Sequence, residues 1–142
     1  MMIIVDKKYK KAVNPVRILI VEDENIIAMD IQYILQKMGY DVFAIVSSGE
    51  ESVNIASLSM PDIVLMDIKL KGKMNGIQAA ESIYNQFRIP IIYVSAYGDE
   101  LTYIQSDRFG PFEFIQKPFI EGEIADKISE VLHKSRKYNT LN

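Results

Sequence analysis

Five short apolar runs punctuate the chain, at residues 16–21, 42–46, 63–66, 91–94 and 112–115. Each has strand length, and each is nearly continuous in hydrophobicity instead of alternating. That is how strands read when helices cover both faces of a parallel sheet. The segments between them have helical period. Ile27, Ile31, Ile34, Leu35 and Met38 fall on one face of a helix that Gly39 is placed to end, and Ile124, Ile128, Val131 and Leu132 repeat the pattern in the last segment. Ser48 with Glu51 has the form of a capping box for the second helix, and Asn75 is placed to begin the third. The expected fold is therefore α/β: a doubly wound (βα)5 sandwich around a five-stranded parallel sheet with right-handed crossovers. Periodicity leaves the strand order open.

A chain of 142 residues that is 49% hydrophobic has the size and apolar content for one domain with a real core. Residues 1–15 precede the first strand without a clear period and are expected to be an N-terminal extension. The domain is expected to occupy 16–137. Residues from 133 onward are polar and expected to fray, with 138–142 as a tail. The formal charge of −3, with no pooled basic motif, opposes binding to nucleic acid or to an anionic membrane surface. No stretch has membrane-spanning length, and the short apolar start followed by charge is the reverse of a secretory signal. The absence of cysteine excludes disulfides, thiolate metal sites and thiol catalysis, and agrees with the reducing cytoplasm as the expected location.

The polar residues that change this picture all sit where apolar runs end. Glu22, Asp23 and Glu24 follow the first run, Asp67 closes the third, Ser95 the fourth, and Lys117 with Pro118 the fifth. In a parallel sheet these positions come to one edge, so carboxylates distant in sequence can converge on a hard cation such as Mg²⁺. Asp67 is then a candidate nucleophile toward phosphorus, Lys117 a fixed ammonium, and Ser95 a hydroxyl donor to a phosphoryl oxygen. Pro118 permits a cis bond after Lys117 that would aim the lysine inward. Taken singly, each residue has an ordinary reading. Acidic first turns are favoured by the helix dipole, Asp punctuates strands, Ser caps helices and Phe114 is core. Their joint placement is what carries the chemistry. His133, the single histidine, has no companion in this set and reads as a surface residue of the last helix.

From 16 to about 132 the chain resembles a response-regulator receiver domain of the CheY-like family, on the stretches ILIVEDE, IVLMDIKL, IIYVSAY and FIQKPF in this order. The resemblance implies a flavodoxin-like strand order of 2-1-3-4-5 and a phosphoacceptor role in two-component signal transduction. It implies phosphorylation of Asp67 by a histidine kinase or phosphotransfer protein. It also implies Mg²⁺ bound by Asp23, Asp67 and the backbone carbonyl of Lys69, with Glu22 assisting through water. Ser95 and Lys117 would contact the phosphoryl group, and Phe114 would be the aromatic switch partner of Ser95. Output would run through the fourth predicted helix, the fifth strand and the last helix, by binding a downstream protein or by homodimerisation. The loop IKLKGKMNG departs from the family pattern. It lacks the common Met-Pro pair, is about one residue longer, and carries Lys69, Lys71 and Lys73 beside the site. The expectation is a signalling domain with only self-phosphorylation and autodephosphorylation, not an enzyme. An aspartate-nucleophile phosphatase of the haloacid dehalogenase type would carry Asp-x-Asp after its first strand, where this chain has Glu22-Asp23-Glu24. A degenerate receiver that only binds proteins would not need to retain Asp23, Asp67, Ser95 and Lys117.

Overall fold

The computed structural model describes residues 15–96 and 112–141. Its elements run β1 (Arg17–Val21), α1 (Asn25–Lys37), β2 (Asp41–Val46), α2 (Gly49–Ser59), β3 (Ile63–Asp67), α3 (Gly76–Phe87), β4 (Ile91–Ser95), β5 (Phe112–Gln116) and α4 (Glu121–Leu141). All five expected strands are present. The fourth predicted helix, with Tyr97, Leu101, Tyr103 and Ile104, lies outside the described residues, as does the N-terminal extension up to residue 14.

The strands form one parallel sheet in the order β2-β1-β3-β4-β5. Alternate residues of the nearly continuous apolar strands serve two separate layers. Leu19, Val21, Val64, Met66, Ile91 and Tyr93 pack against Ala56 of α2 and Ala79, Ala80 and Ile83 of α3. Ile18, Ile20, Ile63, Leu65, Ile92 and Val94 pack against Ile31 and Leu35 of α1 and Ile124, Ile128 and Val131 of α4. Each such Val, Leu, Ile or Met side chain contributes about 1.5–3 kcal/mol when fully buried. Two apolar faces explain why the strands read as unbroken runs.

Local signals bound the end of α1 and the starts of α2 and α3 where the sequence places them. Met38 caps α1, and Gly39 follows at φ +94°, a conformation glycine adopts without a Cβ penalty. Its N–H donates to Gln36 O at 3.0 Å, and Tyr40 N–H donates to Leu35 O at 3.1 Å, which closes a Schellman motif. Asn75 and Gln78 form a full capping box at α3. At α2 half of the box forms: Ser48 Oγ accepts from Glu51 N–H at 3.1 Å, while Glu51 Oε1 takes hydroxyls from Ser47 and Ser48. Helix α4 continues to Leu141, beyond both the expected fraying point and the expected limit at 137.

Candidate functional site

The strand order reverses beside β1, so the crevice between β1 and β3 opens beyond their carboxyl ends. Five of the sequence-selected positions, Glu22, Asp23, Asp67, Ser95 and Lys117, lie at this edge of the sheet. Asp67 is the last residue of β3 and is 6% exposed; Ser95, the last of β4, is 2% exposed; Glu22, just after β1, is 2% exposed. Lys117 follows β5, and its backbone N–H donates to Ser95 O at 2.8 Å, which ties the ends of β4 and β5 together. The Lys117–Pro118 peptide bond is cis.

Carboxylate oxygens of Glu22, Asp23 and Asp67 all lie within 4.8 Å of one another. Facing them, Lys117 Nζ is 2.9 Å from Glu22 Oε1 and 3.8 Å from Asp67 Oδ2. Backbone donors hold three of the remaining oxygens: Glu24 N–H on Glu22 Oε2, Lys69 N–H on Asp67 Oδ1 and Lys71 N–H on Asp23 Oδ2, at 3.1, 3.1 and 3.2 Å. The loop after β3 is thus bound to two of the three carboxylates through its main chain. Glu24 is exposed at the N-cap of α1, outside the cluster of three carboxylates.

Burial pushes the Asp67 carboxyl up to about 7, and repulsion from Glu22 adds to the shift; Lys117 and the Lys69 N–H offset part of it. Burial disfavours the Lys117 ammonium, but its hydrogen bond to Glu22 and the charges of Asp67, Glu22 and Glu24 outweigh that and raise its pKa. Three carboxylates against one ammonium leave an excess of negative charge in a confined space. The donors are all hard oxygens, so the set fits a divalent cation of the Mg²⁺ type. Phe114, on β5, is half-buried against the core layer that contains Tyr93 and Met66. His133 is exposed on α4.

Two features of the site were not read from the sequence. Glu22 is the main partner of Lys117 in this state, a pairing between residues 95 apart that no local pattern reports. Gly76, the first residue of α3, packs directly on the backbone of Asp67: a Cβ there would lie 1.9 Å from the Asp67 carbonyl oxygen. Asn75-Gly76 reads as an ordinary helix start, and only the approach of α3 to the end of β3 reveals the constraint.

The family model for the response regulator receiver domain matches residues 18–129. The chain belongs to this family. The receiver domain is 34% identical over 116 residues to the phyllosphere-induced regulator PhyR of Methylorubrum extorquens, covering 81% of this chain and 43% of that protein. It is 31% identical over 127 residues to the transcriptional regulatory protein PdtaR of Mycobacterium tuberculosis, covering 89% and 62%. The chain therefore spans about half the length of the curated relatives it matches. Among solved structures, the receiver domain of a modulated diguanylate cyclase from Desulfovibrio desulfuricans superposes with a TM-score of 0.80 at 31% identity, over 88% of this chain and 99% of that one. The response regulator PhyR from Brucella abortus gives 0.76 at 27% identity, over 96% and 56%. The fold is the CheY-like, flavodoxin-like receiver fold, and the domain has the signalling role of two-component response regulators. Among the described residues no helix is long and apolar enough to cross a membrane.

Proposed function

We propose that Asp67 is the phosphoacceptor of this receiver domain and that Glu22, Asp23, Ser95 and Lys117 are its working partners. The observation that carries this reading is the convergence of three carboxylates and one ammonium from β1, β3 and β5 on a single strand edge. An Asp67 oxygen attacks the phosphorus of the donor, the bond from phosphorus to the donor's nitrogen or oxygen breaks, and an acyl phosphate remains on Asp67. Lys117 shifts from Glu22 toward the incoming oxygens and neutralises them, and the Ser95 hydroxyl donates to one of them. Asp23, Asp67 and the carbonyl of Lys69 would hold Mg²⁺ directly and Glu22 through water; the ion, when bound, screens charge on the phosphoryl oxygens. Phe114 would follow Ser95 as the switch residue.

The donor in this proposal is a histidine kinase or phosphotransfer protein in the cytoplasm. Ile26, Met29 and Tyr33 form an exposed apolar stripe along α1, and next to α1 a cavity of about 360 Å³ reaches Lys117 and Phe119. Such a surface suits a protein partner. Output through β5, the last helix and the segment between β4 and β5, to a downstream protein or a second copy, completes the proposal. Within that surface Glu113 of β5 is paired with both Lys127, at 3.4 Å, and Lys134 of α4. The role is that of a switch and not of a turnover enzyme, with 16–137 as the functional unit.

Acetyl phosphate with Mg²⁺ is expected to add one acid-labile phosphoryl group, seen by intact-mass spectrometry, and Asp67→Asn to abolish it. Undiminished labelling of the variant would mean that another residue is the acceptor. Multiple turnover of small phosphate esters would instead indicate an enzyme.

The cation assignment makes a separate prediction. Asp23→Ala should weaken Mg²⁺ binding at least tenfold, the scale on which loss of a coordination-shell group is felt, whereas Glu24→Ala should leave it within about twofold. Calorimetric titration of both variants checks this, and equal losses would remove Asp23 from the ligand set.

A further inference from the structure

The loop between β3 and α3 alternates in side-chain direction. Ile68 and Leu70 are buried and Met74 is half-buried, while Lys69, Lys71 and Lys73 are exposed. The apolar members pin the loop to the core. Met74 is pressed against Gly49 of α2, where a Cβ would meet the Met74 carbonyl at 2.9 Å. Gly72 turns the chain at φ +105°. The main chain is registered on the reacting groups themselves, through Lys69 N–H on Asp67 and Lys71 N–H on Asp23. The exposed Lys71 and Lys73 are thereby carried on a loop whose main chain is bound to two of the site's three carboxylates. Among the described residues the ammonium groups of Lys71 and Lys73 enter no ion pair.

An approaching phosphoryl donor is itself an anion, and the carboxylates repel it. Charges outside a reaction centre act mainly on encounter, and they lose that effect when salt shortens the Debye length. We propose that Lys71 and Lys73 form a cationic rim that draws dianionic phosphoryl donors to Asp67, so that this loop sets how fast the domain is charged by small acyl phosphates. The inference rests on Asp67 being the acceptor. In the step concerned, an Asp67 oxygen forms a bond to phosphorus, the acyl C–O–P bridge breaks at the P–O bond, and the carboxylate of the donor leaves with the electron pair. The lysines take no part in that exchange; they act on the donor's encounter with the site.

The test follows labelling of the intact chain by acetyl phosphate with Mg²⁺ at low and high salt. Lys71→Gln/Lys73→Gln is expected to lower the second-order rate about three- to tenfold at low ionic strength, within the range that steering supplies. The deficit should close at about 0.5 M salt, where screening is strong. Lys71→Glu should deepen it. Lys37→Gln, a cation removed from the far end of α1, should leave the rate unchanged. Equal rates for wild type and the double variant at low salt overturn the cationic rim while leaving Asp67 as acceptor. A deficit that persists at high salt also overturns it, because the loop would then act through its shape. Absence of label on Asp67 in the wild type overturns the acceptor reading, and the rim with it.

Discussion

Gly76→Ala is expected to destabilise the domain by about 3 kcal/mol or more, the upper range for forcing extra volume into a packed site, and to reduce labelling of Asp67 sharply. The sign is the reverse of the usual one. At an unobstructed helical position alanine improves on glycine by roughly 0.4–1 kcal/mol, because it narrows the unfolded ensemble and has the higher helix propensity. At Gly76 the new Cβ would meet the Asp67 carbonyl oxygen at 1.9 Å, with the Asp67 carbonyl carbon and Ile68 Cα both at 2.8 Å. All three are backbone atoms in or next to a buried strand, so none can turn aside as a flexible side chain would. Either α3 lifts from the sheet, which opens the layer around Ala79, Ala80 and Ile83, or the end of β3 moves and carries Asp67 out of register with Lys117. Gly122 is the internal control. It lies in the first turn of α4 with nothing within 4 Å of its would-be Cβ, so Gly122→Ala should be neutral or mildly stabilising. Urea denaturation of the two variants beside the wild type decides the matter. A Gly76→Ala protein as stable as Gly122→Ala would show that α3 does not press on Asp67 as described.

Without divalent cations, the protein should lose stability as pH rises from about 4 to about 7, as far as Asp67 is concerned. The folded-state pKa of Asp67 is raised, from 3.8 to about 7, so within that window the native state binds a proton that the unfolded chain has already released. Stability falls with pH wherever the native state binds more protons, and the contribution levels off above the folded value. Asp67→Asn removes the buried charge and keeps the shape. It should therefore raise the melting temperature at pH 8 by roughly 5 °C, with the gain fading toward pH 5. Mg²⁺ should act in the opposite sense to pH. At a hundred times its dissociation constant it adds about 2.7 kcal/mol to the wild type, and the gain should be much smaller for Asp67→Asn. Thermal melts of both proteins at pH 5 and pH 8, with and without Mg²⁺, test all three statements. A wild type more stable than Asp67→Asn at pH 8 without cations would contradict the destabilising charge cluster.

These expectations draw on the parts of the molecule that sequence and tertiary structure decide separately. The sequence alone determined the five strands, the amphipathic faces of α1 and α4, the Gly39 stop and the caps at Ser48 and Asn75, because each depends on neighbours only a few residues away. It also determined which polar residues reach one edge. In a parallel sheet every strand ends at the same side, so Asp23, Asp67, Ser95 and Lys117 could be grouped before any distance was known. The order β2-β1-β3-β4-β5 was not written in periodicity, because each strand is apolar on both faces and suits either neighbour. The division of those strands between the α2–α3 layer and the α1–α4 layer was likewise settled by packing. So was the length of α4, whose polar last turns gave no apolar stripe by which to follow the helix to Leu141. The Glu22–Lys117 pair, the approach of Gly76 to the Asp67 carbonyl and the registration of the lysine loop on Asp23 and Asp67 belong to tertiary structure. Apart from the hydrogen bond between Lys69 and Asp67, each joins segments that are separate in sequence, and only the close approach of α3 and the strand ends gives them geometry.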